Sequence, residues 1–178
     1  MKVLVLSASL SFESKSRLMA REVFAQLPAD YKGMAVEKEL LDLRDHKMPL
    51  CDGGACYGEP VVQALEKKIA AVDCLIVGFP VYNYSCSAAL KNLVELTGSA
   101  WENKVVGFVC AAGGKSSYMS VMGIANSLML DFRSLIVPRF VYADGASFDG
   151  GKITDEKLKD RLAELGRTTL KLTKGVLD

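Results

Sequence analysis

The chain alternates short apolar runs with longer amphipathic stretches from end to end. Residues 2–6 are continuous and partly β-branched, the pattern of a strand buried on both faces. Residues 15–27 read as a helix, with Ser14 or Ser16 near its start and Pro28 beyond its end. A second strand falls within 34–43. Residues 44–59 read as a long loop, marked by Pro49, Asp52-Gly53-Gly54 and Gly58. Pro60 suits the first turn of a helix running to about Ala71. A third strand over 73–79 stops at Pro80. A helix over 87–97 carries Ala89, Leu90, Leu93 and Val94 on one face. Residues 104–111 form the fourth strand, 118–132 a fourth helix, and 135–143 a fifth strand interrupted by Pro138. The last helix spans Thr154 to about Lys174, with Leu158, Leu162 and Leu165 inward.

Five strands alternating with helices define an α/β protein with a parallel sheet covered on both faces. Right-handed crossovers restrict it to doubly wound forms. The expectation is a three-layer αβα, flavodoxin-like, five-stranded sheet of order 2-1-3-4-5, with residues 1–178 forming a single domain. In such sheets ligands bind beyond the carboxyl ends of the strands, beside the switch point. Three loops are therefore the places to search: those after Leu6, Phe79 and Ala111.

The first loop holds five serines, Ser7, Ser9, Ser11, Ser14 and Ser16, and opens a helix. Hydroxyls, backbone N–H groups and the positive helix end together make an anion site, to which Lys15 and Arg17 add charge. The loop lacks the spacing of a triphosphate P-loop and of a dinucleotide fingerprint, so it suits one terminal phosphate monoester. In the second loop Tyr82 and Tyr84 flank Asn83, a residue type that tolerates unusual backbone angles, and Pro80 fixes the entry. Aromatic faces and backbone groups suit a flat heteroaromatic ring. The third loop carries Gly113-Gly114, where backbone can approach a ligand closely.

Composition narrows the field. The net charge is +1, so no global field favours nucleic acid or a membrane surface. No segment approaches the ~18 apolar residues of a spanning helix, and the N-terminal run is too short for a secretory signal; the expectation is a cytoplasmic protein without membrane association. Five cysteines, an odd number, do not suggest a disulfide framework. Cys74 and Cys110 lie in strand-like runs and read as buried thiols. Cys51 and Cys56 share a loop with His46, the only histidine, which reads as exposed; these are too few ligands for a zinc site. The fourth helix is apolar nearly all round, with Met119, Met122 and Met129, and should be buried on more than one face. A subunit interface would cover the second face, giving a homodimer or homotetramer; a long loop folding over it is the alternative.

The stretch Pro80-Val81-Tyr82-Asn83-Tyr84-Ser85 with Leu90-Lys91-Asn92 resembles the P-x-Y-N-x-S…L-K-N signature of NAD(P)H-dependent FMN reductases, a family that includes quinone, chromate and azo-dye reductases. The resemblance covers about residues 2–145. It departs from the family where Val81 replaces a common Glu, Ser87-Ala88 a common Pro-Gly, and Ala8 a common Gly. It implies FMN as cofactor, with Ser9, Ser14, Ser16 and Arg17 on the phosphate. Pro80, Val81, Tyr82, Asn83 and Ser85 would lie along the ring, and Gly113 and Gly114 beside its pyrimidine side. It further implies NADPH or NADH as co-substrate, a small-molecule electron acceptor (quinone, azo dye, metal ion or free flavin) and no catalytic side chain, because the cofactor carries the hydride chemistry. A flavodoxin-type electron carrier is the runner-up, set back by the lack of an acidic surplus. A receiver domain lacks its acidic cluster here, and an iron–sulfur flavoprotein lacks its cysteine spacing.

Overall fold

The computed structural model describes residues Met1–Asp178. The elements run β1 (Lys2–Ser7), α1 (Lys15–Gln26), β2 (Asp30–Tyr31), β3 (Met34–Ala35), β4 (Glu37–Asp42), α2 (Pro60–Ala70), β5 (Cys74–Pro80) and α3 (Ala88–Thr97). They continue with β6 (Val105–Ala111), α4 (Met122–Phe132), β7 (Leu135–Ile136), β8 (Val141–Ala143), β9 (Phe148–Asp149), β10 (Lys152–Ile153) and α5 (Glu156–Leu177). The central sheet is parallel, in the order β4-β1-β5-β6-β7, with β8 resuming the edge along β6. In sequence order of the principal strands this is the expected 2-1-3-4-5.

Alternation along the strands divides the interior in two. Val3, Val5, Ile76 and Val109 face α1 and α5, meeting Met19, Val23, Leu158 and Leu162. Leu4, Leu6, Val77, Phe79 and Phe108 face α2, α3 and α4, meeting Leu65, Leu90, Leu93 and Leu128. Cys74 and Cys110 are buried, and burial pushes the Cys74 thiol up to about 11.

Several boundaries differ from the sequence reading. The run 34–43 is broken: β2 and β3 form a small antiparallel hairpin, turned by Lys32 and Gly33 at φ 52° and 81°, before β4 joins the sheet. Residues 118–132 begin as a 3-10 turn, Tyr118–Val121, and become α-helical only at Met122. The fifth strand splits around Pro138, which has no N–H for the ladder; Leu135 pairs with Val105 and Val141 with Val109. The last helix starts at Glu156, where Asp155 accepts from the Leu158 amide, and continues to Leu177. His46 is half-buried, not exposed. α4 buries Ile124, Ala125 and Leu128 on one face only; Met119, Met122, Met129 and Leu130 lie on the surface, Leu130 being 84% exposed, and no loop covers them. No helix is long and apolar enough to cross a membrane.

Candidate functional site

The serine loop is shaped from within. Ser14 caps α1, its Oγ accepting from the Arg17 amide at 3.1 Å. Ser16 Oγ lies 3.1 Å from Ser14 Oγ, and Ser9 Oγ accepts from the Ser11 amide at 3.3 Å. Ser9, Ser14 and Ser16 are all buried, and no acidic residue occupies the first turn of α1, so its N-terminal dipole is uncompensated. The loop is also held from outside. Ser87, the N-cap of α3, donates to the Ala8 carbonyl at 3.0 Å. Gly78 brings β5 against α1: a Cβ there would sit 3.0 Å from the Ser16 carbonyl and 3.1 Å from Ala20 Cβ.

Arg17 turns away from the serines. Its Nη2 donates to the Phe12 carbonyl, its Nη1 lies 3.7 Å from Asp42 Oδ2, and its buried Nε has no partner. Arg44 joins the same carboxylate at 2.9 Å. Burial draws the Asp42 carboxyl up, but the Arg44 hydrogen bonds and the charges of Arg44 and Arg17 outweigh it and hold the group below its ordinary range. The guanidinium therefore ties the serine loop to the end of β4.

The second loop is a tight turn. Tyr82 and Ser85 exchange backbone hydrogen bonds at 3.1 and 2.9 Å, and the two residues between them, Asn83 and Tyr84, adopt φ of 49° and 63°. This is the left-handed pair of a type I′ turn, built without glycine. Val81 N donates to the Ala111 carbonyl at 2.8 Å, extending the sheet one residue into the loop. The third loop begins where Ala112 N donates to Ala143 O at 3.0 Å. A Cβ on Gly113 or Gly114 would meet open space, and the Gly114 carbonyl accepts from the Tyr142 hydroxyl. Tyr118 packs on Phe140 and Tyr142, with ring centroids 4.7 and 5.7 Å away.

These loops converge on one cleft of about 220 Å³ at the carboxyl end of the sheet. Seven of the residues singled out in the sequence line it: Ser9, Ser14, Ser16, Pro80, Val81, Tyr82 and Gly113. Asn83 and Ser85 line an adjoining groove of about 800 Å³ that shares Tyr82 with the cleft and is closed by Gly123, Ile124 and Ser127 of α4. Gly114 follows Gly113 at the cleft edge, while Arg17 lines neither space. The sequence reading missed the bracing residues Ser87 and Gly78. Ser87 had a legible signal, a serine immediately before a helical run; Gly78, inside an apolar strand, had none beyond its lack of a side chain.

The residues fit a phosphorylated flavin. Hydroxyls and an uncompensated helix N-terminus stand at one end of the cleft, open glycine backbone stands at the other, and the buried Ser7 Oγ at the end of β1 has no partner within the protein.

Comparison with known proteins agrees with that geometry. The parallel sheet flanked by helices is that of the flavodoxin-like fold. An oxidoreductase from Corynebacterium diphtheriae superposes with a TM-score of 0.78 at 18% identity, covering 98% of this chain and 97% of that one. FerB, a flavoenzyme NAD(P)H:(acceptor) oxidoreductase from Paracoccus denitrificans, gives 0.75 at 19% identity, with 98% and 97% covered. Residues 1–149 match the NADPH-dependent FMN reductase family, and the chain belongs to it. An NAD(P)H-dependent FAD/FMN reductase of Geobacillus thermodenitrificans is 31% identical over 134 residues, 73% of this chain and 72% of its own length. A potato NAD(P)H:quinone oxidoreductase is 33% identical over 111 residues, 58% of this chain and 57% of its own.

Proposed function

We propose that the chain is an NAD(P)H-dependent oxidoreductase that holds FMN in the cleft between its three loops. It passes reducing equivalents to a small acceptor of the quinone, azo-dye, metal-ion or free-flavin kind. The observation that carries this reading is the convergence of the serine-lined start of α1, the left-handed Asn83–Tyr84 turn and the open Gly113–Gly114 backbone on one cleft.

Ser9, Ser14 and Ser16 hold the phosphate against the first turn of α1, and Arg17 adds charge from behind the loop while fixing its shape. Pro80, Val81 and Tyr82 line the ring, with Asn83 and Ser85 at its outer edge. Gly113 and Gly114 present backbone to the pyrimidine side. FMN, when bound, supplies the two-electron chemistry, taking hydride from NADPH or NADH and giving electrons to the acceptor. The protein aligns the partners and limits water, which needs no acid or base from the chain. Residues 1–178 act as one FMN-binding domain. The uncovered apolar face of α4, next to the groove, supports a homodimer or homotetramer. The dependence on reduced nicotinamide supports a cytoplasmic setting, and the net charge of +1 gives neither nucleic acid nor a membrane surface a reason to bind.

A flavodoxin-type carrier has the same cleft but no turnover with nicotinamide. The two readings part in an anaerobic stopped-flow experiment on the FMN-loaded protein. NADPH or NADH should bleach the flavin band within seconds. Bleaching by dithionite but by neither nicotinamide over minutes sinks the reductase reading in favour of the carrier.

A further inference from the structure

The long loop between β4 and α2 contains a group of side chains that the flavin reading does not use. Cys51 and Cys56 border the same small apolar cluster, formed by Cys56, Val62 and Leu96 with Met48 and Val61 at its edge. Cys51 is half-buried and Cys56 is 4% exposed. The intervening Asp52-Gly53-Gly54-Ala55 folds back on itself: Asp52 Oδ1 accepts from the amides of Gly54 at 2.8 Å and Cys56 at 3.3 Å, and Gly53 turns at φ 72°. The segment is pinned from α3, where Asn92 accepts from the Cys51 amide at 2.9 Å and donates to the Pro49 carbonyl at 2.8 Å.

The two sulfurs differ in their surroundings. Cys51 Sγ lies 3.6 Å from the Tyr57 hydroxyl. The neighbouring sulfur pushes the Tyr57 phenol up, so the phenol keeps its proton and can donate it to Cys51. Cys56 is bound to the Asp52 carboxylate through its backbone amide, at 3.3 Å, which fixes the buried thiol at the closing end of the turn. Cys51 is thus the half-buried sulfur with a hydroxyl beside it, and Cys56 the buried sulfur at the far end of the same turn.

We propose that Cys51 and Cys56 form a reversible dithiol–disulfide pair that responds to hydroperoxides, with Cys51 as the attacking sulfur and the buried Cys56 as the resolving one. The Cys51 thiolate attacks one peroxide oxygen and the O–O bond breaks. The departing hydroxide takes up a proton and leaves as water, and Cys51 becomes a sulfenic acid. Cys56 then attacks the Cys51 sulfur, the S–O bond breaks, and the released oxygen leaves as a second water with the Cys56 proton. The two thiols lose two electrons and the peroxide gains them. Thiol exchange with a small dithiol reverses the bond. Reversibility suits a reducing compartment, where disulfides are transient and sense redox state. Cys74 and Cys110 are buried in the sheet without exposure to solvent, so they stay out of the reaction.

The test uses the full chain, reduced, desalted without oxygen and treated with a small excess of hydrogen peroxide. The expected product has lost two hydrogens by intact mass, gives one internally linked Cys51–Cys56 peptide, and returns to the starting mass with dithiothreitol. In Cys56→Ser, Cys51 is expected to be captured by dimedone as the sulfenic acid; in Cys51→Ser, Cys56 is expected to stay reduced. Wild-type chain that keeps both thiols, that accumulates sulfinic or sulfonic acid at Cys51 without a link, or that pairs Cys51 with any other cysteine overturns the proposal. None of these readouts requires flavin, so they stand apart from a failure of the FMN reading.

Discussion

Asn83 and Tyr84 adopt φ of 49° and 63°, and neither is glycine. A side chain in the left-handed region costs about 1–2 kcal/mol. Tyr84 recovers little of this by packing, since its ring is 55% exposed. Its neighbours Asn83 and Ser85 line the groove, and strained backbone of this kind clusters at functional sites. Tyr84→Gly should relieve the strain, offset by the ~0.5–1 kcal/mol that glycine loses in backbone entropy. The net expectation is a gain of up to about 1 kcal/mol, seen as a rise in Tm of at most ~2–4 °C for a chain of this size. Turnover with NADPH should fall in the same variant. Full kcat/KM alongside a raised Tm removes Tyr84 from the site. Asp42 is the other residue with a decisive environment. Its folded value lies below the ordinary 3.8, so its contribution is present above that pH and is lost as pH falls through the lower folded value. Asp42→Asn should destabilise the protein by about 1–3 kcal/mol at pH 7, the scale of charge-assisted hydrogen bonds. Urea midpoints of variant and wild type should differ at pH 7 and converge as pH falls through the folded value, below 3.8; a constant gap across that range assigns the effect elsewhere.

At the scale of elements, the distance between β5 and α1 decides where the serine loop sits. Gly78 has the Ser16 carbonyl, Ala20 Cβ and Val109 Cγ2 at 3.0, 3.1 and 3.1 Å from where its own Cβ would be. Gly78→Val must push α1 outwards, with a cost of about 1–3 kcal/mol for overpacking. It should also weaken FMN more than riboflavin, because only FMN carries the phosphate that α1 receives. Equal losses for both flavins by fluorescence titration count against that assignment. α4 raises a different question, since its methionine face is bare. Met122→Lys with Met129→Lys should convert a dimer or tetramer to monomer by light scattering; a wild-type monomer at high concentration refutes the interface. The sheet was legible because residues 3–6, 74–79 and 105–111 contain no polar or charged side chain, the pattern of a strand buried on both faces. The small β2–β3 hairpin was not, because Lys32-Gly33 is a weak turn signal inside a segment that continues as strand. The three loops were found by topology, and their serines, tyrosines and glycines by type. The pairing of Arg17 with Asp42 was beyond a local reading: the arginine sits among serines in sequence, and its carboxylate arrives from the end of another strand. The apolar circumference of α4 was legible as pattern, while the chain itself buries only the face with Ile124, Ala125 and Leu128.

On the scale of the whole molecule, the cleft continues into the groove beside α4, the two sharing Tyr82. Its inner end is closed by the serine loop, tied to β4 through Arg17 and to α3 through Ser87. Beside the third loop, Tyr118, Phe140 and Tyr142 pack together and the Tyr142 hydroxyl holds the Gly114 carbonyl. The groove opens between the Tyr82–Ser85 turn and α4, where Asn83, Ser85 and Cys86 line it. With this groove as the one space both partners use, the expectation is that the donor leaves before the acceptor enters. Steady-state rates with NADPH and a soluble quinone should give parallel double-reciprocal lines, and each substrate at high concentration should compete with the other. Asn83→Asp sharpens the test. A carboxylate at that edge opposes the negative charge gained on reduction, which should lower the flavin's potential and slow the bleaching by NADPH. Reoxidation by quinone, run in the same direction as the added repulsion, should not slow. Intersecting lines, with a ternary complex detected in the wild type, show that this groove is not the one space where both partners react.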